Sequence, residues 1–324
     1  MPTSKTKKKP TRRVRQTKLI SRPNRKKEIK IPKKETKEKA ITYARLPNVV
    51  KLTKSSWDIL WINRKLFIGI GLIYGLLNLI LVQGLASSSE IDALKNSLSN
   101  VAHGNFGSIF SGLSIFIVLL GSAGNGTSQT AGAYQLFLAI ITSLAVIWAL
   151  RQLINNKKIR IRDTFYLGMA PLIPFILVLI VIALELLPLL IGSLLYSIVL
   201  SNSIVIGWIE QVIALIVFLL LASLTIYWIL GSMFALYIVT LPNMSPIKAL
   251  KSANKLVKKR RLLILRKLLF LPFILIVAAA IIMLPIVIII SGVAQWVFFI
   301  LTMFVLIIIH SYIYNLYREL LNET

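Results

Sequence analysis

The chain has 324 residues, 56% of them hydrophobic and only 15% charged, yet its formal net charge is +27. So little charge excludes a water-exposed globule of this length, and the absence of cysteine excludes disulfides, thiolate nucleophiles and cysteine-held metals. More than half of the 38 basic residues precede Leu66, where Glu28, Glu35, Glu38 and Asp58 are the acids, so a basic arm is followed by an apolar body.

Residues 1–52 read as a disordered, basic, cytoplasmic arm. Runs such as KTKKKPTRRVRQ and RPNRKKEIKIPKKETKEK hold too few apolar residues to offset the entropy of ordering. No apolar core follows Met1, so no secretory signal is expected, and a Lys-rich arm carrying Glu is a poor transit peptide. Its polyanionic partner is expected to be the anionic headgroups of membrane lipids. Nucleic acid ranks lower, because Tyr43 is the lone aromatic before Trp57 and base stacking needs more.

The domain from 53 to 324 is read as all-α, a polytopic transmembrane bundle of six spans. About 20 apolar residues are enough to cross the hydrocarbon as a helix. Trp57 and Trp61, mixed with Arg64 and Lys65, suit the headgroup layer at the start of a span over 66–86. The following SSSEIDALKNSLSNV predicts an amphipathic helix, with Ser89 and Asp92 as a capping pair and Ile91, Leu94, Leu98 and Val101 on its apolar side. SIFSGLSIFIVLLG is too short for a full crossing and is read as re-entrant or interfacial, a seventh crossing being the alternative. Further spans are predicted over 133–150, 165–191, 204–241, 262–290 and 293–314. Pro171, Pro174 and Pro188 predict kinks in the third, and the long fourth is expected to tilt or to break near Gly231.

The connectors set the orientation. Arg151, Lys157, Lys158, Arg160 and Arg162 separate the second and third spans, and a larger cluster from Lys248 to Lys267 separates the fourth and fifth. With six crossings both clusters and both termini share one side, which the positive-inside rule makes cytoplasmic. A faint internal repeat pairs PFILVLIVIALELLP from Pro174 with PFILIVAAAIIMLP from Pro272.

SPIKALKSANKLVKKRR is the clearest local element. Ser245 is placed to cap and Pro246 to open a helix whose Ala249, Leu250, Ala253, Leu256 and Val257 share one arc. Lys248, Lys251, Lys255, Lys258 and Lys259 occupy the opposite arc and are the candidate lipid-headgroup contacts, with the helix lying flat on an anionic leaflet.

Candidates for chemistry are few. Glu185 and Glu210 are the acids inside apolar stretches and form the candidate intramembrane polar site. Brought together by adjacent helices near their outer ends, they would share a proton or hold a cation; separately, each would be solvated in the outer headgroup layer. His310 is read as a polar contact between helices rather than a ligand, and no metal motif, catalytic residue or cofactor is expected. Asn125-Gly126-Thr127 matches a glycosylation sequon that matters only in a eukaryotic secretory membrane.

From WDILWINRKLFIGIGLIYGLLNLILVQGL through RIRDTFYLGMAPLIPFILVL to SPIKALKSANKLVKKRRLLILRKLLFLPFIL, the chain resembles an uncharacterised family of bacterial polytopic membrane proteins. The span, basic helix, span arrangement is more distantly similar to the membrane domain attached to some glycerophosphoryl diester phosphodiesterases. That resemblance implies a membrane-domain fold in a bacterial plasma membrane. It implies no activity, since the metal-binding barrel of those enzymes has no counterpart here. Two functions are therefore expected: a non-enzymatic membrane-organising or accessory protein, or a transporter or lipid-handling permease using Glu185 and Glu210.

Overall fold

The computed structural model describes residues 48–322 apart from 86–87, 104–106, 123, 126–127, 202–207 and 259. The arm up to residue 47, Lys259, and Gly126 and Thr127 of the sequon lie outside the described residues. Among the described residues every regular element is a helix. Six helical segments among the described residues are long and apolar enough to cross a membrane: Arg64–Leu81, Gln129–Ile154, Leu172–Leu200, Trp208–Ile238, Arg261–Ile289 and Ser291–Leu321. The architecture is thus an all-α, polytopic transmembrane bundle.

The chain opens with α1 (Val49–Ile62), which begins inside the stretch assigned to the arm, because Leu52 and Ser56 find a packing surface. Asn63 separates it from α2 (Arg64–Leu81), the first crossing. The second is α5 (Gln129–Ile154), whose start is capped by Ser128 Oγ accepting from the Ala131 N–H. Between them α3 (Ser88–Ala102) and α4 (Ser108–Ser122) form a short hairpin. Helix α3 begins at Ser88, one residue before the predicted capping Ser89.

The α4 segment is 15 residues, about 22 Å of rise, which is short of a ~30 Å hydrocarbon core. Ile91, Leu94, Phe116 and Leu119 of the hairpin pack on Met283, Val287, Ala294 and Phe298, close to where the last two crossings join. A segment docked there, turning back on α3, fits the partial-crossing reading.

The third crossing is broken. Helix α6 (Ile161–Gly168) runs back along α5 so closely that a Cβ at Gly168 would lie 3.1 Å from Ala145 Cα. It stops short of Pro171, α7 (Leu172–Glu185) follows, and Leu186 separates α7 from α8 (Leu187–Ser201) just before Pro188. The crossing accordingly starts later and ends later than the sequence predicts.

The fourth crossing is α9 (Trp208–Ser232) followed by α10 (Ala235–Ile238), so the predicted break near Gly231 falls at residues 233–234. Next come α11 (Pro246–Val257), α12 (Arg261–Ile289) and α13 (Ser291–Asn322). Helix α12 stays continuous through Pro272 and Pro285.

Contacts gather the basic connectors at one end of the bundle, called the basic end below. There α1 lies against the last turns of α13: Ser311 Oγ donates to Ser56 O at 3.1 Å, and Asn315 Nδ2 to Ser56 Oγ at 3.2 Å. Tyr312 Oη donates to Lys267 O at 2.9 Å, tying α13 to the start of α12. The largest apolar core sits at this same end, formed by α5, α10, α11 and α13 with contributions from α1, α2, α7, α9 and α12.

Candidate functional site

A cavity of about 670 Å³ opens at the basic end. One wall is the last turns of α5, with Leu144, Trp148, Arg151 and Gln152. The second is the broken joint between α6 and α7, with Pro171 and Pro174. The third is the loop leaving α10, residues 239–245. Concave sites with a few convergent polar groups are where ligands bind, and breaks in spanning helices are tolerated where they border a cavity.

Arg151 is the chief polar group of the cleft. Its guanidinium donates to Thr240 O at 2.7 Å, to Tyr237 O at 3.2 Å and to Thr240 Oγ1. Arg151 on α5 adds a charged donor where the short α10 ends, beside local partners: Tyr237 O also accepts from Thr240 Oγ1 at 2.8 Å, and Ile238 O from the Leu241 N–H at 3.0 Å. Asn243, at φ +59, completes the loop in the left-handed region that asparagine tolerates. Across the cleft, Ser245 precedes α11 without spending its hydroxyl on a cap. No carboxylate lines the cavity, so its net charge is the positive one of Arg151.

Behind Arg151 a buried polar relay crosses three elements. Tyr237 Oη meets His310 Nδ1 at 3.0 Å, and His310 Nε2 meets Ser143 Oγ at 2.8 Å. Whichever ring nitrogen carries the proton, one hydroxyl donates and the other accepts, so a neutral imidazole satisfies both. His310 is thus the interhelical polar contact expected of it. Tyr237 in turn packs in a cluster with Tyr314 and Tyr317, with ring centroids 6.0–6.1 Å apart.

The glutamates are not brought together. Glu185 accepts a hydrogen bond from Ser232 Oγ at the end of α9. Glu210 stands exposed in the first turn of that helix, about 22 residues or ~33 Å of rise from Ser232. The reason is the later third crossing, which puts Glu185 about midway along Leu172–Leu200 rather than near its far end. Glu210, beside an exposed Trp208 and at a helix N-terminus that favours negative charge, matches a solvated interfacial acid.

On α11 the two arcs separate as the sequence implies, with one correction. Ala249, Ala253 and Val257 are each 0% exposed, against protein rather than lipid. Gly231 of α9 approaches Asn254, and Arg261 locks the junction by donating to Tyr227 O at 3.0 Å and Asn254 Oδ1 at 2.6 Å. The helix is therefore a docked bundle element and not a free amphipathic helix sunk into a leaflet. Lys248, Lys251, Lys255 and Lys258 point outward.

Sequence reasoning treated Arg151 only as an orienting charge and passed over Ser143, Tyr237 and Thr240. The available signal was that Ser143 and Arg151 stand two helical turns apart, with Thr240 and His310 interrupting otherwise apolar spans. Among the described residues no group of three or more His, Asp or Glu side chains is placed to hold a metal. Fold and site together define a class, the polytopic α-helical membrane protein with a cationic cleft at its basic end. No protein-family profile, curated protein or solved structure matches the chain.

Proposed function

We propose that the chain is a non-enzymatic membrane-organising or accessory protein of a bacterial plasma membrane, with both termini cytoplasmic, which gathers anionic lipid headgroups at its basic end. The observation that carries this reading is α11: its small apolar arc is docked on the core, which holds Lys248, Lys251, Lys255 and Lys258 as a fixed outward stripe. A fixed stripe loses less side-chain and backbone freedom on meeting phosphates than a loop does, and its attraction falls as salt rises. Distant kinship with the phosphodiesterase membrane domain and with bacterial polytopic families belongs to the same reading.

The absence of cysteine makes the test simple. The full chain carrying Ser252→Cys is labelled with a donor fluorophore and reconstituted in phosphatidylcholine vesicles containing acceptor-tagged phosphatidylglycerol. Energy transfer above that with acceptor-tagged phosphatidylcholine is expected, falling to the same level when the four lysines become glutamine or at high salt. Equal transfer to both lipids in the native chain sinks the reading.

A permease is the second reading, favoured by the broken third crossing beside the cleft. It now rests on Glu185 with Ser232 and not on a carboxylate pair. In proteoliposomes holding a pH dye, Glu185→Gln should abolish proton-coupled flux while Glu210→Gln leaves it intact; no flux from the native chain, or equal effects of the two variants, counts against it.

A further inference from the structure

We propose that the joint between α1 and α2 holds one anionic phospholipid, with its phosphate on Arg64, Lys65 and Arg160 and an acyl chain in the groove between that joint and α13. Two cavities meet at Arg64. The first, about 670 Å³, is lined by Asn63, Arg64, Lys65, Ile159 and Arg160. The second, about 330 Å³, is lined by Trp57, Trp61, Phe67, Phe304, Ile307 and Ile308, with Arg64 its one charged member. A cationic pocket continuing into an apolar groove is complementary to a molecule that is anionic at one end and hydrocarbon at the other.

The sequence separates these cations by almost a hundred residues, and the fold unites them. Asn63 interrupts the α1–α2 run by turning its side-chain amide back to Ile59 O at 3.0 Å, so Arg64 and Lys65 open a new helix. Arg160 is the extended residue just before α6. Ile161 brings it in, packing so tightly on Gly69 of α2 that a Cβ there would lie 2.3 Å from Ile161 Cδ1. Trp57 and Trp61 stack at 6.2 Å, and the Arg64 guanidinium lies 5.5 Å from the Trp61 ring centroid. That stacking orients the guanidinium while its N–H edge stays available to a phosphate.

Arg64, Lys65 and Arg160 line one pocket whose lining holds no carboxylate, so its charge is positive. A bound phosphate is the missing counter-charge, and charge-assisted bonds from guanidinium to phosphate are the strong kind. Free phosphate would fill only the first cavity. The apolar groove decides for a lipid, because only an acyl chain uses both. Indole rings beside basic side chains also belong at headgroup depth. The inference rests on the membrane residence and orientation proposed above but is independent of the α11 lysines, none of which lines either cavity.

The test is native mass spectrometry of the full chain released from nanodiscs of equimolar phosphatidylglycerol and phosphatidylcholine. One phosphatidylglycerol per chain should be retained in preference to phosphatidylcholine. The triple variant Arg64→Gln, Lys65→Gln, Arg160→Gln should reduce retention by about tenfold or more, as expected for losing charge-assisted contacts. Ile308→Trp, which fills the groove and spares the cations, should reduce it as well. The four-lysine variant of α11 should retain the lipid, so failure there and failure here are separable. All three substituted cations are exposed, so the triple variant should fold, with unchanged far-ultraviolet circular dichroism as the check. Equal retention of the two lipids, retention by the triple variant, or displacement by millimolar inorganic phosphate in the native chain with no effect of Ile308→Trp would each overturn the proposal.

Discussion

The basic end and the α8–α9 hairpin both carry many apolar residues and use them in opposite ways. At the basic end, Leu144, Val146, Ile147, Ala149 and Leu150 of α5 are 1% exposed or less, locked among α10, α11 and α13. In α9 the buried residues are Thr225, Leu230, Gly231 and Ser232, all toward its C-terminal end, while Leu194, Leu195, Ile209 and Ile213 face outward. Hydropathy places both regions in the membrane. Shape and hydrogen bonding act on only one of them, because lipid is as apolar as leucine and rewards no particular side chain. Damage should therefore be graded by distance from the basic-end core and not by hydrophobicity.

Arg151→Ala should be the most disruptive single change. It removes the charged donor from Thr240 O and Thr240 Oγ1 and leaves Tyr237 O with Thr240 Oγ1 as its donor, at a cost of about 3 kcal/mol. Unfolding in graded sodium dodecyl sulfate, followed by Trp fluorescence, reads this directly. Arg151→Lys should recover part of the loss, since one ammonium does not span both carbonyls. Leu150→Ala, at a position wholly buried beside the same network, should cost about 2 kcal/mol through the cavity it opens.

His310→Leu ranks next, at about 1–2 kcal/mol, because Tyr237 Oη and Ser143 Oγ each lose a partner. The comparison sharpens with a triple change: His310→Leu combined with Tyr237→Phe and Ser143→Ala should be milder than the single variant, since no buried polar atom is then stranded. A triple variant worse than the single one would mean that packing, not polar satisfaction, fixes this region.

The two regions also differ in how far the sequence disclosed them. Spans two, five and six were legible because hydropathy and charge are one-dimensional signals, and so was the break after Gly231, since one crossing does not need so long a run. Pro188 foretold the irregularity in the third crossing, but the faint repeat misled. Pro174–Pro188 carries a one-residue interruption at Leu186, whereas Pro272–Pro285 lies in an unbroken helix, so similar composition concealed different geometry. The site was the least visible part. Arg151, Tyr237 and His310 lie on three separate helices, and only packing shows that the Arg151 guanidinium reaches the end of α10. Glu185 and Glu210 were conspicuous for the opposite reason: an acid in an apolar run is easily seen, but its depth depends on where Pro171 starts the crossing.

The weakest expected effect tests the comparison hardest. Leu194 of α8 is 63% exposed, and its loss to alanine removes contacts with lipid that lipid itself replaces. Alanine is also the better helix former, so Leu194→Ala should change stability by about 0.5 kcal/mol or less. The identical chemical change at Leu150 is expected to cost several times more. If both substitutions weaken the protein equally, the α8–α9 hairpin is covered by protein in the membrane, and its outward leucines belong to an interface with another chain. If Leu194→Ala is silent while Leu150→Ala is not, the hairpin is a lipid-facing arm whose sequence is held to a hydropathy and a length, and the constraint on shape ends where the basic-end core ends.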